Sequence, residues 1–424
     1  MLFYLIEFYN DNHVSVNKIN DSNLNLIKVP ENIDNNSWIL SYADNLSSNL
    51  TLEDNLIDFI QKKVIDNYNI FRNRDFCWLI WQNFSFPELT AQELSSDSIS
   101  WIGKVDFIQK ISQEDNSILG NNYQLLNYFI NNKILCHTKL IKSQKLDLIG
   151  NYQDNILPKK IMAIIPHHNC NQWLDYCLFS LINQSYKLTD IVVIDDKSTD
   201  APINICSNYP EVTLLKSNKK VGPYQIIQSV INDSNYDYYL FQDADDWSMV
   251  DRLRISIELM DKMGADMVGT QEYRVDDINH TVNPVAYPLN VNRALQKKPG
   301  HPLLHPTSLI KRSAFLGVNG FANALLYGAD TEFLLRSHFH LKIYNSPEFG
   351  YFRRKRNNSL TTSPITGLGT SHREKLLHTL KAIAYNNYDM MKQGKIPSTI
   401  PLVSKPCETF EKIMKQTENM MMKK

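Results

Sequence analysis

No two of the six cysteines, Cys77, Cys136, Cys170, Cys177, Cys206 and Cys407, stand at C-x-x-C spacing. That excludes the common zinc-site and dithiol redox motifs, and scattered cysteines read as free thiols of a reducing compartment. An excess of charge is also missing, because 44 Lys and Arg against 45 Asp and Glu leave a formal net charge of −1. A protein that neutralises many phosphates of a nucleic acid needs a basic footprint, so no nucleic-acid partner is expected. No window approaches the roughly 18–20 uninterrupted apolar residues of a membrane-crossing helix. The opening MLFYLIEFYN is apolar but short, lacks a basic leader and carries Glu7, which suits a strand better than a secretion signal. These absences point to a cytoplasmic protein, with peripheral contact at the inner face of a membrane left open.

What is present is an ordinary globular composition, 43% hydrophobic and 21% charged over 424 residues. That length exceeds what one core usually serves, so more than one domain is expected. Residues 1–150 read as an N-terminal α+β region of unknown role. A helix opening at Thr51 would use Leu56, Ile60 and Val64 as its apolar face, a second helix is expected near 123–135, and FCWLIWQNF (76–84) reads as a buried strand. No motif here names a chemistry.

After NYQDNILPKK the pattern changes to short apolar runs alternating with helical segments. IMAIIP, DIVVIDD, EVTLL, DYYLFQD and ADMVGT read as five strands, with helices expected over 172–183, 203–207, 224–231 and 251–263. The expectation is an α/β domain over 159–365, a mixed, mainly parallel sheet flanked by helices. Residues 366–424 read as a C-terminal helical extension and tail: a helix over SHREKLLHTLKAIAYNNYDMMK, a flexible PSTIPLVSKP, then a frayed end or weak amphipathic helix.

In open sheets of this kind ligands bind at the carboxyl ends of the strands, and the unusual polar residues fall there. The first strand ends in Pro166, His167, His168 and Asn169, the second in Asp195 and Asp196, and the fourth in Asp243, Asp245 and Asp246. Either group of strand-end acids could simply cap the turn that follows. A cluster of carboxylates at a buried strand's end needs a compensating cation, and an oxygen-rich site that meets a diphosphate suits Mn²⁺ or Mg²⁺. Further on, GADTEFLLR puts Asp330 in the first turn of a helix, where a capping role competes with a catalytic one. The run Arg353, Arg354, Lys355, Arg356 precedes the polar NNSLTT and could clamp phosphate rather than only face water.

The succession IIPHHN, VIDDKSTD, NKKVGPY, YLFQDADDWSMVDRL, GADTEFLLR and FRRKRNNSLTT resembles the family 2 glycosyltransferases, which have the GT-A fold. The resemblance spans about 200 residues and implies an inverting, metal-dependent transfer from a nucleoside-diphosphate sugar, with a UDP-linked donor expected. Carried over by position, Asp196 would pair with the nucleotide base, and Pro166, His168, Asn169 and Gly222 would border the donor. Asp245 would hold the metal, Asp243 would face the donor sugar or share the metal, and Asp330 would be the general base. Arg356, at the place where relatives often put a metal-side His, would reach the donor phosphates. Tyr is commoner at the position of His168, and Ile227 and Gln228 replace an Arg-Asn pair.

HPLLHPTSLIKRSAF (301–315) fits a strand followed by a helix, with His305 facing acceptor or core. Trp247 could stack on a sugar or be buried at a helix start. Two rival readings fit the same residues. One is a non-catalytic binding module of the same fold, and the other is a nucleotidyltransferase, which IIPHHNCNQW disfavours by having no glycine in its first loop. The acceptor could be a glycan, a lipid-linked saccharide, a metabolite or a polypeptide.

Overall fold

The structure, a computed structural model, describes residues 2–10, 13–19, 37–42, 74–82, 85–142 and 159–414. The chain divides into two compact units. The first comprises Met1–Ser85, Glu93–Leu148 and Asn279–Pro284, and the second Phe86–Gln92, Ile149–Ile278 and Val285–Lys424.

The first unit is α+β. Strands β1 (Leu2–Asn10), β2 (His13–Ile19), β3 (Ser37–Tyr42), β4 (Phe76–Gln82), β5 (Ile99–Lys104) and β6 (Thr138–Lys142) form one sheet in the order β2-β1-β3-β5-β4-β6. Every pairing is antiparallel except that of β4 with β6. As the FCWLIW run suggests, Phe76 to Ile80 are buried; the Phe76 ring lies 5.5 Å from Trp101 and 4.9 Å from Phe129, spacings at which aromatic pairs add to apolar burial. Helix α1 (Val105–Glu114) buries Val105, Ile108 and Ile111 at helical spacing. Helix α2 (Asn122–Asn131) starts where the Asn121 side chain accepts from the Tyr123 and Gln124 amides. The helix expected after Thr51 lies outside the described residues.

The second unit is built on a sheet of alternating strand and helix. Its elements are β7 (Ile161–His167), α3 (Asn171–Ile182), β8 (Asp190–Asp195), α4 (Ile203–Cys206), β9 (Val212–Lys216), α5 (Pro223–Asn232), β10 (Tyr238–Phe241), β11 (Trp247–Ser248), α6 (Arg252–Met263) and β12 (Met267–Asp276). After these come α7 (Val291–Lys297), β13 (Leu309–Lys311), α8 (Arg312–Gly317), α9 (Ala329–Ser337), β14 (Ile343–Lys355), α10 (Ser371–Lys392) and β15 (Glu411–Met414). The strand order is β11-β14-β12-β13-β10-β7-β8-β9-β15. The central four, β9-β8-β7-β10, are all parallel. The short β13 is antiparallel to both neighbours, and β12 runs parallel to β14. The sheet is thus mixed with a parallel centre, and all five expected strands are present.

Both faces of the sheet are covered, which explains why its strands are apolar throughout rather than alternating. Ile164, Val192, Ile194, Tyr239 and Phe241 face one core, shared with α5, α9 and α10. Ala163, Ile165, Ile191, Val193 and Leu240 face the other, shared with α3 and α6. Chain order reverses between β7 and β10, since β8 and β9 extend to one side of β7 and β10 lies on the other. A crevice opens at such a reversal, outside the carboxyl ends of the strands.

Two C-terminal expectations differ from the structure. PSTIPLVSKP is not a loose connector but a strap: Leu402 N donates to Glu332 Oε1 (3.1 Å), Lys405 N to Asn323 Oδ1 (2.7 Å), and Gln225 Nε2 to Pro406 O (2.6 Å). The tail then forms β15, which pairs antiparallel with β9. An edge strand exposes unmatched backbone groups, and the tail satisfies those of β9. Residues beyond Met414 lie outside those described.

Candidate functional site

Three strand ends meet at the crevice. At the end of β7, Asn169 takes a left-handed backbone (φ 53); its Oδ1 accepts from Thr199 N (2.9 Å), and its own amide donates to Ser198 Oγ (2.9 Å). These bonds tie the turn after β7 to the turn after β8. His168 Nδ1 donates to the Asp196 carbonyl (2.9 Å), which can only accept, so Nε2 accepts from Lys220 Nζ at 2.8 Å. Pro166 is half-buried beside them.

The Asp196 carboxylate is buried and grips the start of α5, accepting from Val221 N (2.7 Å) on one oxygen and Gly222 N (2.9 Å) on the other. Gly222 needs its lack of a Cβ here: its φ is 92, the left-handed region that penalises other residues, and Pro223 follows at the first helical position. Asp195 is buried as well, with one oxygen near His167 Nδ1 (3.4 Å) and Ser198 N (3.2 Å). Burial pushes its carboxyl up, but those partners outweigh burial and leave it below the ordinary carboxylate value.

The loop after β10 carries the acid cluster. Withdrawal into the cleft and the Asp245 and Asp330 charges push the Asp243 carboxyl up to about 7, although its side chain still meets solvent. Asp246 is buried and pushed well up by burial, then by Asp245 and Asp243; its Oδ1 accepts from Arg354 N at 2.7 Å. Asp245 is engaged by Arg356, Nε to Oδ2 at 2.6 Å. The same guanidinium lies 4.4 Å from the Trp173 ring centre and 3.3 Å from Cys170 Sγ.

Arg252 braces this loop from beneath. Fully buried, it donates to Gln242 Oε1 (2.7 Å), Ser248 Oγ (2.8 Å), Phe241 O (2.8 Å) and Pro306 O (2.6 Å), and stacks 4.7 Å from the Tyr351 ring. Burial lowers it to about 10, so it remains a cation at neutral pH. Tyr351 continues the brace, its hydroxyl accepting from Asp243 N (3.2 Å).

Asp330 sits in the first turn of α9, as expected from GADTEFLLR, with Gly328 (φ 77) as the residue before the helix. Its side chain is 21% exposed, enough for an acceptor to reach it. Burial pushes the carboxyl up, yet His301 (Nε2 to Oδ2, 3.8 Å), the Thr331 amide and the Tyr224 hydroxyl pull it below the ordinary value. His305, lowered to about 4 by its own burial, adds to that pull where it is protonated, in the acid range in which the carboxyl titrates. Tyr224 is itself pushed well up by burial and then by the Asp330 and Asp243 charges. Both acids thus act electrostatically on the half-buried Tyr224.

The remaining expected residues fall as follows. Trp247 is buried, stacked at 5.2 Å on Phe352, with the Arg354 guanidinium 5.1 Å from its ring centre. A sugar therefore has no free face of it to stack on. His305 packs at 4.4 Å from the Phe241 ring and 5.1 Å from Phe321, in the core behind Asp330. The basic run is partnered along its length: Arg354 with both oxygens of Asp277 (2.7 Å each), Lys355 with Asp276 (2.7 Å), Arg356 with Asp245. Arg353 lies between buried Glu272 (3.9 Å) and the acid cluster. Tyr224, His301, Trp173 and Arg252 carry no signal in the sequence, since each is an ordinary helix or loop residue whose role comes from partners that only the fold supplies.

Residues 162–316 match the profile of the family described as Glycosyl transferase family 2. This stretch is a family 2 glycosyltransferase domain. The domain contains β7 to β10 and the acid loop, and Asp330 and Arg356 follow it in the chain. Over 95 residues the chain is 35% identical to Glycosyltransferase GlyA of Streptococcus pneumoniae, covering 22% of this chain and 14% of that protein. It is 26% identical over 170 residues to the putative glycosyltransferase EpsE of Bacillus subtilis, covering 38% of this chain and 60% of that one. The chain thus spans less than two thirds of either relative. A crystal structure of S. aureus TarS 1-349 in complex with UDP-GlcNAc is similar at 17% identity and a TM-score of 0.41, covering 55% of this chain and 73% of that one.

Proposed function

We propose that this protein is an inverting glycosyltransferase that moves a sugar from a nucleoside diphosphate, UDP in the first instance, to an acceptor hydroxyl. The observation that carries this reading is Asp330, partly exposed in the first turn of α9, in a chain with a family 2 glycosyltransferase domain. In this reading the turns after β7 and β8 and the start of α5 border the nucleotide. Asp330, held as a carboxylate, removes the proton of the acceptor hydroxyl. The freed oxygen bonds to the anomeric carbon as the bond from that carbon to the β-phosphate oxygen breaks, and the nucleoside diphosphate leaves with the electron pair. Attack from the face opposite the leaving group inverts the anomeric centre.

Among the described residues no group of three or more His, Cys, Asp or Glu is arranged to hold a metal ion. A divalent cation, Mn²⁺ or Mg²⁺, fits only as a shared guest, with Asp245 and, at the loop's open side, Asp243 supplying carboxylate oxygens and the donor diphosphate supplying the rest. When bound it would act as a Lewis acid on the departing diphosphate. Arg356, now on Asp245, is the protein's own cation for those phosphates.

Calorimetric titration of the full chain with UDP and GDP, with and without Mn²⁺, tests the donor half of this reading. Binding of one nucleotide, weakened in Asp245→Ala, is expected. Product analysis with a hydrolysable donor then separates release of a nucleoside diphosphate from release of pyrophosphate, the latter being the mark of a nucleotidyltransferase. No binding of either nucleotide would favour a non-catalytic module.

A further inference from the structure

Thirteen large apolar side chains stand exposed among the described residues, and ten of them lie in 360–403. Ile365 (76% exposed), Leu368 (68%), Ile396 (74%) and Ile400 (73%) are the extremes. Exposed apolar residues scattered singly need no explanation, but this concentration in one stretch does. The same stretch departs from the rest in charge. Residues 357–407 hold Arg373, Lys375, Lys381, Lys392, Lys395 and Lys405 against Glu374 and Asp389, a balance of +4 in a chain whose total is −1.

The tip of this surface is built rather than loose. Between Ser359 and Thr370 the chain closes on itself: Ser363 N donates to Ser359 O (2.9 Å), Gly367 N to Ser363 O (2.7 Å) and Leu368 N to Thr361 O (3.0 Å). A Cβ on Gly367 would come within 2.4 Å of the Ser363 carbonyl, so only glycine permits the turn. Arg373 locks the loop from α10, donating to Thr366 O (2.8 Å) and Leu360 O (3.2 Å) while stacking 4.8 Å from the Tyr327 ring. Several of the loop's backbone polar groups are thus paired inside while Ile365 and Leu368 point out. A segment that enters a lipid interface needs that arrangement, because an unpaired amide or carbonyl there is costly.

We propose that the surface formed by the 359–370 loop, α10 and the 396–403 strap docks on an anionic lipid bilayer. The apolar tips enter the headgroup boundary, and the lysines meet the negative surface. Among the described residues no helix is long and apolar enough to cross a membrane, so the attachment is interfacial. Tyr327 precedes Gly328, Ala329 and Asp330, which sets the candidate base next to the docked surface. The docking itself does not depend on the glycosyl-transfer reading.

Sedimentation of the full chain with phosphatidylcholine vesicles, with and without phosphatidylglycerol, tests this. The wild type is expected to partition onto the anionic vesicles, at least about tenfold more weakly onto phosphatidylcholine alone or in high salt. Ile365→Asp with Leu368→Asp, and separately Lys381→Glu with Lys392→Glu, should each lower partitioning about tenfold or more at an unchanged thermal midpoint. The charge-reversal pair lies far from the loop and serves if the first fails to fold. Absence of partitioning, or partitioning that neither variant alters, overturns the proposal. So does self-association in place of vesicle binding, abolished by the same variants, which would assign the surface to a second copy of the chain.

Discussion

Arg356 holds Asp245 in an ion pair of 2.6 Å, with both side chains about one-sixth exposed (16% and 17%). The carboxylate that the family resemblance gives to a metal thus carries the protein's own cation. The ion and Arg356 are expected to compete. Arg356→Ala should raise the affinity of the nucleotide-free protein for Mn²⁺, read by electron paramagnetic resonance, because the carboxylate loses its partner. The same variant should bind UDP about tenfold more weakly if the guanidinium moves to the diphosphate. Unchanged UDP affinity would remove Arg356 from the donor site.

Asp330→Asn should leave nucleotide binding within a factor of about two while lowering transfer by roughly 10²–10⁴. Full transfer in this variant would end the assignment of the base. Tyr224→Phe gives a finer test. The Tyr224 hydroxyl favours the ionised carboxylate, so its removal should raise the Asp330 pKa. The acid limb of the kcat/KM profile should then move to higher pH, while a merely structural Tyr224 would lower the profile without moving it.

Arg252 makes four buried hydrogen bonds beneath the acid loop. Arg252→Met keeps much of the volume but leaves Gln242, Ser248 and two carbonyls short of a donor, at a cost of about 3–5 kcal/mol. Urea unfolding should show the loss as a lower midpoint at an unchanged slope. Arg252→Lys should recover little, since one ammonium cannot span the four acceptors.

The pH dependence of stability should carry a trace of Asp243. Its folded-state pKa is raised to about 7, against about 3.9 for an unfolded aspartate. Between those values the folded state binds the extra proton, so this group's contribution to stability falls as pH rises through that window and is fully lost above it. Asp243→Asn removes the term. The variant's thermal midpoint should therefore gain more on the wild type at pH 8 than at pH 5, and an equal gain at both would contradict the shift. The raised pKa sets the direction of the effect, and the solvent exposure of Asp243 screens it and keeps it modest.

Much of the second unit was legible because its signals are local. Apolar runs of strand length ended in Asp195, Asp196 and the acids from Asp243 to Asp246, and the structure puts those residues at strand ends. Helices expected over 172–183 and 251–263 appear as Asn171–Ile182 and Arg252–Met263, within the fraying of any helix end. The insertion of β13 antiparallel between β10 and β12 was not legible, since three residues, Leu309–Lys311, carry no periodicity that names a partner. The strap is not legible for a similar reason: Pro and Ser composition suggests a loose segment, whereas hydrogen bonds to Glu332, Asn323 and Gln225 hold it. Trp247 was undecided between sugar platform and core until Phe352, more than a hundred residues on, was found against its face.

The sequence by itself determined which residues stand at the ends of the parallel strands, because alternation of apolar runs with helices and the placement of polar residues after them are properties of neighbouring positions. Tertiary structure alone decided which of those residues meet. It paired Asp245 with Arg356, brought Asp330 near His301, buried Arg252 beneath the acid loop and laid β15 on β9. The Asp245–Arg356 pair and the β9–β15 pairing join segments about one to two hundred residues apart. Strand order and side-chain partnership are settled by closing such long loops onto a shared core, a balance of burial and chain entropy that no local pattern encodes.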